Sequence, residues 1–387
     1  MLPGGEAGDD GLYAQLARRR GLGEVVVEER EETADGTRQW YGVYRWEPVR
    51  AALADEGLSA CLYHDEMGLG RRYGEVLLGM DAPDHRHHRG VLQASFSRAA
   101  LGGRLRTAVT APVDAAIDAL AGEDGADLFS ALCEPVPVRV LTALLGLSDE
   151  WADALMEQAV VLARRDPGRA VVVADALRER LAPVIDERRS APAAHDLVSV
   201  LAHGTVAGRP LTDLEVFSHV RLLAIAGTDT VTRGLGNLLS GLLTHPDQLE
   251  AVRRDPGLAP AAVEEAVRWE CPAVSVPRIA RRPVRLAGTT IPEGAAVRVV
   301  LGAANHDPDR WPDPDRFDIR RPAKPNAGFG MGVHACLGVH LAHVLLEHSL
   351  TALLATFPRL RRDPDAPPPR VVGIDLRAPD HLYARWD

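Results

Sequence analysis

Lysine is almost missing from this chain: Lys324 stands alone among 44 lysine and arginine residues. Acidic residues outnumber the basic ones, 54 to 44, for a net charge of −10, which argues against nucleic acid as the main partner. Aromatic residues make up only 5% of the chain, so its core must be built from Leu, Val and Ala. The four cysteines (Cys61, Cys133, Cys271, Cys336) lie far apart, without the spacing of a metal finger or a redox pair, and suggest no disulfide framework. No run approaches the ~20 apolar residues of a membrane span, and the opening MLPGGEAGDD has no apolar signal core. A soluble, cytoplasmic protein with no membrane partner is the expectation.

What is present reads as a mainly α protein with a small β portion. No internal repeat or long linker interrupts residues 1–387, which favours one integrated domain, with residues 1–20 as a flexible N-terminal segment apart from a short helix near Tyr13–Arg19. Val25–Val27 and Gln39–Tyr44 are strand candidates joined by an Asp35-Gly36 turn. From Pro48 to Pro272 the texture is helical, and residues 278–303 carry β-branched residues and Gly turns that predict short antiparallel strands. Thr212 and Glu215 fit a capping box, and the apolar pattern then runs to His245-Pro246. That predicts one central helix of about 32 residues, roughly 48 Å long.

The segment FGMGVHACLG sets Cys336 between glycines, just ahead of an apolar helix from about Leu337 to Leu354. The glycines permit tight turns and close approach to a flat ligand. A helix N-terminus offers unpaired N–H groups and positive potential, which stabilise a thiolate. A thiolate in such a loop can ligate haem iron. A buried structural cysteine is the alternative for this residue taken alone.

Phe329-Gly330-x-Gly-x-His334-x-Cys336-x-Gly338 resembles the haem-binding signature of the cytochrome P450 superfamily, and three further stretches agree in order. Glu265-Ala266-Val267-Arg268 is similar to the family's Glu-x-x-Arg motif, whose charge network takes a third member at Arg316 of PDRFD. The AGTDT segment resembles the acid–alcohol motif. MDAPDHRHHRG resembles the stretch that holds the haem propionates, with Ala82-Pro83 where the family usually has Pro-Pro. His85, His87 and His88 could alternatively hold a metal.

The resemblance implies a cytochrome P450 fold with haem between the long central helix and the Cys-ligand loop. It implies haem b with Cys336 as axial iron ligand, and His85, Arg89, Arg278 and His334 as propionate contacts. Phe329, Gly330 and Gly338 belong to the cofactor loop. Ala226 and Gly227 would leave room for oxygen, while Asp229 and Thr230 relay protons; Val231 stands where many members carry a second Thr or Ser. Val274, Val276 and Val372 are expected to line an apolar substrate pocket, and His64, Arg71 and Arg72 could meet a polar group. The implied activity is insertion of one oxygen atom from O2 into a mostly apolar metabolite of secondary metabolism. Its electrons would come from NAD(P)H through a separate ferredoxin and ferredoxin reductase, with Arg98 and Arg104 as a docking patch. Peroxide-driven oxidation, oxidative coupling, nitration or haem binding without turnover are the alternatives.

Overall fold

A computed structural model describes residues 11–33, 36–62, 75–103, 105–163 and 167–387. The chain divides into two compact units. One comprises residues 1–60, 233–336 and 357–387, the other residues 61–232 and 337–356.

The first unit is built on a five-stranded sheet. Val25–Thr33 and Gly36–Val43 form an antiparallel hairpin, longer than the two runs the sequence suggested. Ala296–Val300 joins it in parallel, Ser275–Ala280 pairs antiparallel on its far side, and Leu58–Ser59 closes the edge. The 278–303 segment therefore gives short strands, one of them parallel to its neighbour across a long connection. Every residue of Ala296–Val300 is buried, as expected of a central strand covered on both faces. Val43, Val297 and Val299 pack with Trp46, Val49 and Leu53 of the Trp46–Ala54 helix, and Ala327 and Met331 join the same cluster.

The described part of the first 20 residues is helical from Gly11. The Gly11–Leu22 helix buries Leu12 and Leu16 against Val26, Val274 and Val300. Arg20 donates to the Ala303 carbonyl at 3.0 Å, and Tyr13 donates to Glu270 at 3.0 Å.

The second unit is helical in the main, with Arg106–Asp118, Pro135–Leu144, Ala152–Ala163, Pro167–Ser190, Asp213–Ala226 and Val339–Thr356 as its larger helices. The Asp213–Ala226 helix opens on the expected capping box: Thr212 Oγ1 accepts from the Glu215 N–H at 3.2 Å, and Glu215 accepts from the Thr212 N–H at 2.8 Å. It does not run unbroken to Thr244. Gly227 and Thr228 interrupt it, and a second helix, Asp229–Thr244, follows.

The interruption has a local cause. Thr228 Oγ1 donates to the Ala224 carbonyl, and Thr230 Oγ1 donates to the Ala226 carbonyl at 2.8 Å. Hydroxyls that bond back to carbonyls four residues earlier compete with the helical ladder. A Cβ at Gly227 would lie 2.7 Å from the Leu223 carbonyl oxygen, so only glycine fits there. One helix of about 32 residues is thus corrected to two, broken where polarity and flexibility coincide. Beyond the break, Asn237 Nδ2 donates to the carbonyls of Glu270 and Arg377 at 2.9 and 3.1 Å. Among the described residues no single helix is long and apolar enough to cross a membrane.

Candidate active site

In the first unit the Cys336 loop hangs on a continuous set of hydrogen bonds. The Ala259–Trp269 helix carries Glu265 and Arg268 one turn apart, and both are buried. Arg268 grips Glu265 with two N–H groups, Nε at 2.7 Å and Nη2 at 2.8 Å. Its Nη1 donates to the carbonyls of Asn305 (3.0 Å) and Pro314 (2.8 Å). Asn305 then accepts, through Oδ1, from the Ala327 N–H at 2.7 Å, and the Ala327 carbonyl accepts from the Gly330 N–H at 2.8 Å. Finally the Cys336 N–H donates to the Phe329 carbonyl at 2.8 Å. A buried ion pair keeps its place only when its remaining donors are satisfied, and here they are satisfied by the backbone that shapes the loop.

The third charge of this network is Arg321, not Arg316. Arg321 Nε donates to Glu265 at 3.3 Å, whereas Arg316 supplies its carbonyl oxygen to Arg268 Nη2 at 3.1 Å and Arg321 Nη2 at 2.9 Å. The Asp318 N–H also donates to Glu265, at 2.8 Å. Five residues of irregular backbone place the Arg321 head where the sequence alone suggested the nearer arginine. Asn305 is a second member that sequence reading missed; a polar residue ending the apolar run of 299–304 was the available signal.

Two glycines are fixed by close approach. Gly332 has φ +71°, and a Cβ there would meet the Leu53 carbonyl oxygen at 2.5 Å. A Cβ at Gly328 would lie 2.4 Å from Val267 Cγ1. Gly330 also has a positive φ, +64°, but a Cβ there would make only ordinary contact, with the His334 carbonyl oxygen at 3.8 Å. The loop is thereby pressed between the Trp46–Ala54 and Ala259–Trp269 helices, and Val333 is left 52% exposed on a short turn, Gly332–His334. Phe329, Gly330, His334 and Gly338 are all half-buried along it.

Cys336 itself is exposed, while Cys133 and Cys271 are buried and Cys61 is half-buried. Burial pushes the Cys133 thiol well up and the Cys271 thiol up to about 12, so both stay protonated. Among the four, the exposed thiol is the one set on the braced loop. Arg278 is buried in Ser275–Ala280, placed opposite Val297 by the antiparallel register. Of the expected pocket valines, Val274 is spent on the core beneath the Gly11–Leu22 helix, which corrects its assignment to a substrate wall. Val276 is half-buried against the sheet cluster, and Val372 is 38% exposed on the Val371–Val372 strand.

In the second unit, the Asp84–Gln93 helix buries His85, His88 and Leu92, one face at i, i+3 and i+7, and leaves Arg89 half-buried. The His85 pKa is held below its ordinary value, by burial first and then by Arg89. His87 is exposed and His88 turns to His219, so the three histidines do not converge. Among the described residues no group of three or more His, Cys, Asp or Glu side chains could hold a metal ion. Ala226 is exposed at the end of a helix that is otherwise largely buried, and Asp229 and Thr230 are half-buried on the next turn. Arg98 is exposed near His340, whose pKa is lowered by burial and then by Arg98. His64, Arg71, Arg72 and Arg104, and Asp35 of the expected turn, lie outside the described residues.

Taken unit by unit, these residues suit haem in their chemistry: an exposed thiol on a braced loop and buried Arg278 in the first, and buried His85 in the second. The class they define is a mainly α haem-thiolate protein. A family model described as Cytochrome P450 matches residues 257–374, the stretch that holds both the ion pair and the cysteine loop. The chain is 34% identical to the cytochrome P450 monooxygenase PikC of Streptomyces venezuelae, over 91% of this chain and 85% of that one. It is 33% identical to the cyclomarin C epoxidase CymV of Salinispora arenicola, over 84% and 85%. Its fold matches that of the ligand-free P450 monooxygenase TamI with a TM-score of 0.83 and 31% identity, over 97% of this chain and 91% of that one. The chain belongs to the cytochrome P450 superfamily. It is a monooxygenase, an oxidoreductase of the family that works with Cys-ligated haem and O2.

Proposed function

We propose that this enzyme hydroxylates or epoxidises a medium-to-large, mostly apolar product of secondary metabolism, a polyketide, terpenoid or modified peptide intermediate. Two relatives, a cytochrome P450 monooxygenase and a cyclomarin C epoxidase, support that reading. Thiolate-ligated haem supplies the oxygen-activating chemistry when bound. Cys336 is its ligand: the exposure of this one thiol on a loop braced from Glu265 and Arg268 is the observation that carries the reading. His85, Arg89, Arg278 and His334 hold the propionates, and Phe329, Gly330 and Gly338 shape the loop around the cofactor.

Protons come through the helix break. Thr230 Oγ1, whose proton rests on the Ala226 carbonyl, keeps lone pairs that accept a hydrogen bond from an arriving donor. Asp229 beside it is the carboxylate that exchanges protons with solvent. Ala226 and Gly227 add no bulk at the same place. Val276 and Val372 offer apolar surface to substrate. Electrons come from NAD(P)H through a separate ferredoxin and its reductase in the cytoplasm, with Arg98 in the docking patch.

The test is spectroscopic. The reduced, haem-loaded protein under carbon monoxide should show the strongly red-shifted Soret band of thiolate ligation. Cys336→Ser should abolish it, and Cys61→Ser, Cys133→Ser and Cys271→Ser should keep it. Loss of the band from one of those three, with Cys336→Ser intact, sinks the assignment. Substrate-induced spectral shifts across a panel then test the substrate class; response to small polar acids alone rules it out.

A further inference from the structure

The second unit holds two buried histidines that the proposed chemistry does not use. His88 Nδ1 lies 3.0 Å from His219 Nε2, joining the Asp84–Gln93 helix to the Asp213–Ala226 helix, and both rings are almost fully buried. On its other side His88 Nε2 faces Glu215 at 3.7 Å, outside hydrogen-bonding length but within strong Coulomb range. Glu215 is in turn gripped by Nη2 and Nη1 of Arg209, at 2.7 and 2.8 Å, and by its own capping box.

The surroundings fix the direction of this pair. Arg209 holds Glu215 down to about 2, so Glu215 is a carboxylate and favours an N–H on the facing His88 Nε2. His88 Nδ1 is then the acceptor and His219 Nε2–H the donor. His219 Nδ1 has no hydrogen-bond partner among the described residues, which agrees, since a bare ring nitrogen is tolerated in a core where an orphaned N–H is rare. Two neutral imidazoles fit this arrangement and a protonated one does not. An added proton either sets two N–H groups against each other or strands an N–H at His219 Nδ1.

We propose that His88 and His219 form an acid-labile latch that pins the Asp84–Gln93 helix to the Asp213–Ala226 helix. The latch is a positioning device. His88 lies between His85 and Arg89 in the chain, so it sets the placement of the helix that carries both, a role that rests on their reading as propionate contacts. The groups facing the pair are Glu215, Asp84, Glu75 and Arg209, and burial outweighs them: the His88 pKa is lowered, and that of His219 falls to about 3. The folded pKa values lie below the unfolded one, so the latch is at full strength above about pH 6.5. It weakens as pH falls toward the folded values, about tenfold for each unit per proton excluded.

Hydrogen exchange of the haem-loaded protein, corrected for intrinsic rates, tests this at the amides of residues 84–93. Wild type should lose protection below about pH 6.5, reaching about thirtyfold by pH 5. His219→Gln keeps an amide donor at the place of Nε2 and can turn its carbonyl to a protonated His88. It should flatten the slope relative to wild type, leaving only what buried His85 on the same helix contributes. His219→Leu should be less protected even at pH 8 and keep an acid slope, because a protonated His88 would set its Nδ1–H against leucine. A flat wild-type profile, or a slope undiminished in His219→Gln, overturns the latch. The carbon monoxide band at pH 8 reports the haem-thiolate reading separately: a normal band with a flat profile defeats the latch alone, and a missing band with the expected slope defeats the haem reading alone.

Discussion

The Cys336 N–H donates to the Phe329 carbonyl at 2.8 Å, and that bond is the last of a series that begins at the Glu265–Arg268 ion pair. Between them stand Asn305 and Ala327, whose side chain–backbone bond at 2.7 Å carries the bracing from the helix to the loop. The thiol is therefore positioned by groups that never touch it.

Breaking the ion pair on one side leaves a buried charge without its partner. Glu265→Ala or Arg268→Ala is expected to destabilise the fold by about 3–5 kcal/mol. Such variants should be recovered without haem, checked by the ratio of Soret to protein absorbance. Recovery with full haem content would show that the loop holds its shape unaided.

The network also separates two arginines. Arg316 acts through its carbonyl, which alanine retains, so Arg316→Ala should keep haem content and thermal midpoint near the wild-type values. Arg321 acts through its guanidinium, so Arg321→Ala should lower both. A larger effect from Arg316→Ala would restore the assignment made from sequence.

These cases show what the sequence could and could not disclose. Glu265 and Arg268 were legible because helical spacing alone puts residues three apart on one face. Cys336 was legible because its glycines and its neighbours form a dense local pattern. Arg321 and Asn305 were not, since their roles depend on where irregular backbone and a distant strand end lie. Val274 misled for the same reason: an apolar residue beside a strand fits a pocket or a core equally until its neighbours are known. The break at Gly227 was written in the sequence as polar residues and glycine, yet the apolar pattern continued through it and pointed to one helix. The His88–His219 bond joins residues 131 apart, and no local pattern announces it.

Asn305 gives a finer test of the bracing. Asn305→Ala removes the acceptor for the Ala327 N–H in a buried setting, a loss of about 1–3 kcal/mol. Asn305→Asp keeps an acceptor at Oδ1 and should restore loop order at the cost of a buried charge. Haem dissociation followed by transfer to apomyoglobin should be faster in Asn305→Ala than in wild type. Equal rates would remove Asn305 from the bracing path.

Thr230 tests the proton route rather than the scaffold. Thr230→Ala deletes one hydroxyl that donates to the Ala226 carbonyl, and the helix on either side keeps its own bonds. Haem content and the carbon monoxide band should be unchanged. With a saturating substrate and redox partners, NAD(P)H consumption should continue while product per electron pair falls, by about 10-fold or more if the hydroxyl contributes as a positioned proton donor or acceptor. Thr230→Ser restores a hydroxyl at the same place and should recover coupling. Asp229→Asn, which removes the exchangeable carboxyl and keeps its shape, should slow turnover itself more than it uncouples it. Full coupling in Thr230→Ala would place the proton route elsewhere, and the hydroxyl would then serve only to bend the helix at Gly227.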